Sequence, residues 1–172
     1  MRRTSFDQMS CSVARTLEVI GDWWTPLIVR DLSLGISRFD AMQRNLGISR
    51  KVLTQRLAGL LDHGVVERSA YQDNPVRYDY RLTEKGADLA MVLLAMRAWS
   101  DRWVFGEAGQ PMVFRHEPCG AVTDPIPACS SCGEPLLPGD LTPLLGPGSH
   151  PGPGTSEIPA AIARLHAQAS PS

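Results

Sequence analysis

SRKVLTQRLAGLLDHG (residues 49–64), followed by VVERSAYQDNPVRYDYRL (residues 65–82), changes its apolar period at Gly64, and that change decides the fold. In the first half Val52, Leu53, Leu57, Leu60 and Leu61 recur at intervals of three and four, which lays them in one stripe along a helix. Arg50, Lys51, Thr54, Gln55 and Arg56 fall on the other side. Ser49 offers an N-cap hydroxyl to a backbone N–H one turn in, and Gly64 suits the left-handed residue that ends such a helix. In the second half Val65, Val66, Tyr71, Val76, Tyr78 and Tyr80 form two β-favouring runs around the turn-forming tetrad Gln72-Asp73-Asn74-Pro75. A helix, a tight turn and a two-stranded hairpin are expected. An ordinary amphipathic helix with a solvated charged face has the same local pattern, so the flanking sequence must decide between them.

Upstream, RFDAMQRNLGI (residues 38–48) carries Phe39, Met42 and Leu46 on one helical face and reaches the Ser49 cap through Gly47 and Ile48. Two helices joined by so short a glycine-containing turn are a helix-turn-helix, and the following hairpin makes it winged. Residues 38–56 hold five basic side chains against the single acidic Asp40, a local charge of +4 in a chain whose net charge is −1. Concentrated positive charge on one element is what phosphate contacts require. The pattern therefore points to a double-stranded DNA operator as partner. Ser49, Arg50, Lys51, Thr54 and Gln55 lie at or near the end of the helix that would reach base edges, with Arg50 and Gln55 as bidentate readers. Arg38, Arg44 and Arg56 are expected at phosphates, which set register without reading sequence. Asn74 and Arg77 would lie in or beside the flanking minor groove.

Before this unit, Val13, Leu17, Val19 and Ile20 predict one helix, and Trp24, Leu27, Ile28 and Leu32 predict another that starts near Pro26. Trp23 and Trp24 read as core or interface, or as part of a ligand box. After the wing, Thr83-Glu84-Lys85-Gly86 opens a long helix through Leu89, Val92, Leu93, Met96, Trp99 and Trp103. Its apolar stripe is wider than a three-helix head needs, which marks an interface. No apolar run approaches the ~20 residues that span a membrane. The start, MRRTSFDQMS, lacks the hydrophobic segment of a signal peptide, so a cytoplasmic protein without membrane association is expected.

Charge divides the chain: residues 1–115 hold sixteen Lys or Arg against thirteen Asp or Glu, and residues 116–172 hold one against five. The later part contains HEPCGAVTDPIPACSSCGEP, in which His116, Cys119, Cys129 and Cys132 are spaced H-x2-C-x9-C-x2-C. A ligand pair two residues apart followed by glycine, here Gly120 and Gly133, lets backbone N–H groups turn toward thiolate sulfur. Four such N/S donors suit a structural, tetrahedral Zn2+, with Asp124-Pro125 expected at a tight hairpin in the spacer. Free thiols or a Cys129–Cys132 disulfide are the alternatives, disfavoured in a reducing compartment. A deaminase-type zinc centre fits less well, because Glu117 directly follows His116 and Cys119 has no second cysteine in its motif.

From Cys11 to about Trp99 the chain resembles the HxlR family of bacterial winged-helix regulators, a branch related to the MarR group. The resemblance is carried by CSVARTLEVIGDWWTPLIVRDL, by GISRFDAMQRNLGISRKVLTQRLAGLLDHGVVER and by YRLTEKGADL. The family's usual Cys-Pro is Cys11-Ser12 here, and its usual Lys-Trp is Trp23-Trp24. The resemblance implies a homodimer formed by the first and last helices of this region. It also implies that Cys11 senses oxidants or electrophiles, as an equivalent cysteine does in some members. A helix start is a setting in which thiols become reactive, but a free cysteine is as often a small buried apolar residue. Some members carry similar Cys/His-rich extensions.

The expected fold class is mainly α with a small β-hairpin: a winged helix-turn-helix plus a zinc-ribbon-like module. Residues 1–106 are expected to bind DNA and dimerise, 112–145 to form the zinc module, and 146–172 to be a flexible Pro/Gly-rich tail with a short helix over 158–169. The function expected is a non-enzymatic, dimeric, sequence-specific transcriptional regulator responsive to an oxidant or small molecule. The competing class is a zinc-dependent or Cys129-x-x-Cys132 thiol-disulfide redox protein, which calls for a helix after the motif where Gly133 and Pro135 stand. A third reading makes the zinc module a protein-docking platform of the same regulator.

Overall fold

Ser49 accepts a 3.3 Å hydrogen bond from the Val52 N–H and so starts the helix that the sequence places there. The computed structural model describes residues 5–169. Its elements are α1 (Ser12–Ile20), α2 (Thr25–Ser33), α3 (Phe39–Leu46), α4 (Arg50–Asp62), β1 (Val66–Asp73), β2 (Val76–Leu82) and α5 (Glu84–Ser100). After a π-helical turn (Asp101–Phe105) and a 3-10 turn (Gly106–Ala108) come β3 (Phe114–Arg115), β4 (Val122–Thr123) and α6 (Ile158–Ala169). They fall into two compact units, residues 24–137 and residues 5–23 with 138–169.

In the larger unit the apolar stripe of α4 supplies the core: Leu53, Leu57 and Leu60 are buried together with Ile28, Val29, Met42 and Val65. Gly47, at φ 66°, ends α3 in the left-handed region and turns the chain into the Ser49 cap. Asp31 is fully buried, where its carboxylate accepts from Arg30 Nη2 at 2.6 Å and from Asn45 Nδ2 at 2.8 Å. The bond to Asn45 fixes α2 against the end of α3.

β1 and β2 pair antiparallel from Val66↔Leu82 to Asp73↔Val76, with a bulge between Ala70 and Gln72. The hairpin turns at Asn74-Pro75, so β1 extends through Gln72 and Asp73 of the expected turn tetrad. Only the base of the hairpin is buried, at Val66 and Tyr80. At that base Tyr80 N donates to Ser37 O at 2.9 Å, and Arg38 bridges to Asp79, so the entry to α3 acts as a third short strand.

The Thr83-Glu84-Lys85-Gly86 motif has two physical functions. The Thr83 hydroxyl accepts from Gly86 N at 3.2 Å, capping α5, and donates to Gly64 O at 2.8 Å. A Cβ on Gly86 would lie 2.2 Å from Val65 O, so the close approach of α5 to the base of the wing requires glycine. α5 then runs with Leu93 and Leu94 half-buried, while Met91, Val92, Met96 and Trp99 stay exposed. It ends three residues short of Trp103, where Arg97 Nε pairs with the buried Asp101 at 2.8 Å.

In the smaller unit the expected stripe of α1 is only partly inside: Ile20 is buried, whereas Val13 and Leu17 are exposed. Trp23 is 90% exposed and is therefore not a core residue, while Trp24, the first residue of the larger unit, is half-buried. In the Pro/Gly-rich stretch after Gly146, Gly148 O accepts from Ser10 Oγ at 2.8 Å, and Thr155 is buried. α6 spans the range in which a helix was expected. Residues 1–4 and 170–172, the ends of the expected first and last segments, lie outside the described residues. Among the described residues no helix is long and apolar enough to cross a membrane.

Candidate nucleic-acid interface

α3, the Gly47 turn and α4 form the expected helix-turn-helix, and burying Leu53, Leu57 and Leu60 turns the opposite face of α4 to solvent. Ser49, Arg50, Lys51, Thr54 and Gln55 are all exposed there, as is Arg44 on the last turn of α3. Asn74 and Arg77 are exposed at the tip of the wing. Arg56 departs from the expected solvent-facing set and is half-buried. It lies three residues after Leu53 and four before Leu60, so it borders the buried stripe instead of opposing it.

Two carboxylates organise these arginines. Asp40, in the first turn of α3, pairs with Arg50 Nη1 at 3.1 Å and lies 3.9 Å from Arg77 Nη1. The Arg50 guanidinium also lies over the Phe39 ring, 4.8 Å from its centroid. Asp79 on β2 takes a 3.1 Å hydrogen bond from Ser37 Oγ and pairs with Arg38 Nε at 3.6 Å, while Arg38 lies over Tyr71 at 4.7 Å. Between α3, α4 and the wing is a groove of about 330 Å³ lined by Phe39, Asp40, Arg50, Tyr71, Arg77 and Tyr78, among others. Neither Asp40 nor Asp79 was anticipated as a site residue. Asp40 carried a signal, as the lone acid in a basic run; Asp79 carried none, because its role depends on strand register.

The cysteines lie elsewhere. Cys11 is the N-cap residue of α1, half-buried, and its side chain makes no capping bond. In the C-terminal part of the larger unit, His116 and Cys119 occupy the turn between β3 and β4, with Nδ1 and Sγ 3.2 Å apart. Gly120, at φ 73°, donates to His116 O at 2.7 Å and closes that turn. Cys129 and Cys132 occupy a second turn, closed by Gly133 N to Cys129 O at 2.8 Å and flanked by an Ala128↔Pro135 bridge. The backbone N–H groups of Cys132 and then Ser131, with the Cys132 thiol, hold the Cys129 thiol below its ordinary range. Asp124-Pro125 connects the two hairpins and is not the turn of one, because glycine at Gly120 and Gly133 supplies the turns. Among the described residues no three His, Cys, Asp or Glu side chains converge on one metal position. The Cys129-x-x-Cys132 pair opens a hairpin turn, not the helix a thiol-disulfide enzyme would place after it.

The model of the HxlR-like helix-turn-helix family matches residues 19–107. An uncharacterized HTH-type transcriptional regulator of Mycobacterium tuberculosis is 41% identical over 137 residues, which cover 80% of this chain and 87% of the relative. The HTH-type transcriptional regulator YodB of Bacillus subtilis is 37% identical over 86 residues, 49% of this chain and 77% of YodB. Among solved structures, that of PA1607, a candidate transcription factor, has a TM-score of 0.67 at 36% identity and covers 78% of this chain and 94% of its own. A second candidate transcription factor, PA1374 from Pseudomonas aeruginosa, has a TM-score of 0.57 at 35% identity, covering 81% and 95%. The basic helix-turn-helix, the wing anchored to it at its base and these matches agree: the chain belongs to the HxlR-like helix-turn-helix family, whose relatives are transcriptional regulators.

Proposed function

We propose that this protein regulates transcription as a cytoplasmic homodimer that binds operator DNA, with α4 in the major groove and the β1–β2 wing on the flanking DNA. The observation that carries this reading is the exposed face of α4, joined to the wing by a carboxylate, Asp40, between Arg50 and Arg77. With no DNA present Asp40 balances part of the arginine charge and orients both side chains. On DNA those guanidiniums exchange it for base edges and phosphates, whose negative charge is denser. Ser49, Arg50, Lys51, Thr54 and Gln55 read bases; Arg38, Arg44 and, less directly, the half-buried Arg56 hold phosphates; Asn74 and Arg77 contact the minor groove.

The exposed stripe of Val92, Met96, Trp99 and Trp103 supports the dimer, because isolated apolar patches of this kind on soluble chains mark interfaces. Two copies then present two recognition helices to half-sites about one DNA turn apart. For an effector, the candidate thiol is Cys11, which lines a cavity of about 770 Å³ with Ser10, Arg15 and Ile162 among others. The reading is tested by selecting duplexes from a random pool with the purified protein. An enriched inverted repeat is expected, and a pool that stays random after repeated rounds would contradict it.

A further inference from the structure

We propose that His116, Cys119, Cys129 and Cys132 bind one zinc ion as a structural, tetrahedral site that fastens the two C-terminal hairpins to each other. The first pair is already set for it. His116 Nδ1 and Cys119 Sγ are 3.2 Å apart, and Zn–N and Zn–S bonds of about 2.0 and 2.3 Å at a tetrahedral angle put those donors about 3.5 Å apart. A shift of a few tenths of an ångström would admit the ion. The second pair sits in an equivalent turn, closed by Gly133 N donating to Cys129 O at 2.8 Å and flanked by the Ala128↔Pro135 bridge. In both turns a positive-φ glycine, Gly120 or Gly133, directly follows the second ligand.

The fold of this segment supplies an independent reason. β3 and β4 are two residues long, and Val122 and Ile126 are 68% and 65% exposed, so little apolar surface is buried to hold either hairpin. Elements this short need a staple in water. Three thiolates and an imidazole select zinc over hard cations such as magnesium or calcium, and with four protein donors no position remains for catalysis. Binding converts three thiols to thiolates, releasing three protons per ion, while neutral His116 donates a ring nitrogen. Among the described residues the two pairs do not converge on one position, so zinc must draw the two half-sites together. The segment is already anchored on α5: Asp124, between the hairpins, takes 3.1 Å bonds from Arg97 Nη2 and Gln110 Nε2, and Arg97 lies over Phe114. The zinc site is independent of the DNA-binding reading and stands or fails without it.

The test is metal analysis of the reduced, full-length protein loaded with Zn2+ alone and dialysed, alongside a Co2+-loaded sample. One zinc retained per chain is expected, with thiolate-to-cobalt charge transfer and the intense visible bands of tetrahedral cobalt. Cys119→Ser and Cys132→Ser should each lose the metal, and Cys11→Ser should keep it. If those two variants fail to fold, the wild-type cobalt spectrum still decides. Wild-type protein that retains no zinc, a pale octahedral cobalt spectrum, or metal kept by Cys119→Ser and Cys132→Ser alike would overturn the proposal.

Discussion

Asp40 pairs with Arg50 at 3.1 Å and stands 3.9 Å from Arg77, so one carboxylate at the start of α3 faces both the recognition helix and the wing. The Arg50 side chain is 70% exposed and that of Asp40 48%, so the pair contributes at most about 1 kcal/mol to stability. Its consequence is electrostatic. Asp40→Asn should leave the unfolding midpoint almost unchanged, yet tighten binding to random duplex and steepen its salt dependence. Fluorescence anisotropy across a salt series measures both, and unchanged or weaker random binding would argue against an electrostatic role for Asp40.

Gly86 is required by packing, since any Cβ there would meet Val65 O at 2.2 Å. Gly86→Ala should therefore destabilise the protein by about 1–3 kcal/mol, because the obstacle is backbone and cannot rotate away. Denaturant unfolding followed by circular dichroism reports it. A helix-stabilising effect, as at an open helical position, would show that the approach of α5 to the wing base is looser than described.

These two sites differ in how legible they were. The α4 stripe, the Ser49 cap, the Gly47 turn and the Thr83-Glu84-Lys85-Gly86 start are all written within a few neighbouring residues, and helix periodicity and capping chemistry expose them. The Asp40–Arg50–Arg77 and Asp79–Arg38 contacts join residues ten to forty-one positions apart and depend on where the hairpin lands. Arg56 was misplaced for a simpler reason: one step around a helix separates a solvated face from the edge of the buried stripe. In the cysteine-rich segment the spacing located both turns, but the pull of Asp124-Pro125 as a turn former hid that Gly120 and Gly133 make them.

The exposed stripe on α5 should hold the homodimer together. Met96 and Trp99 are 53% and 62% exposed, so Met96→Glu with Trp99→Glu removes apolar contact without emptying the core. Sedimentation velocity should show a dimer for the wild type and a monomer of unchanged helicity for the variant, with operator affinity falling sharply. A monomeric wild type at micromolar concentration would end this part of the account.

Cys11, half-buried at the start of α1, is the proposed sensor thiol. Diamide should release wild-type protein from its selected duplex, and Cys11→Ser should bind that duplex normally and stay bound under the same treatment. Equal release of both proteins would remove Cys11 from the response.

If α4 reads sequence while neighbouring arginines only position the protein, the two kinds of residue respond differently to a change of duplex. The direct measurement is the affinity of wild type, Arg50→Ala and Arg44→Ala for the selected duplex and for random duplex at fixed salt. Arg50→Ala should lose about 1–3 kcal/mol on the selected duplex and much less on the random one, whereas Arg44→Ala should weaken both alike. Equal losses on both duplexes for both variants would contradict the assignment of α4 as the reading helix.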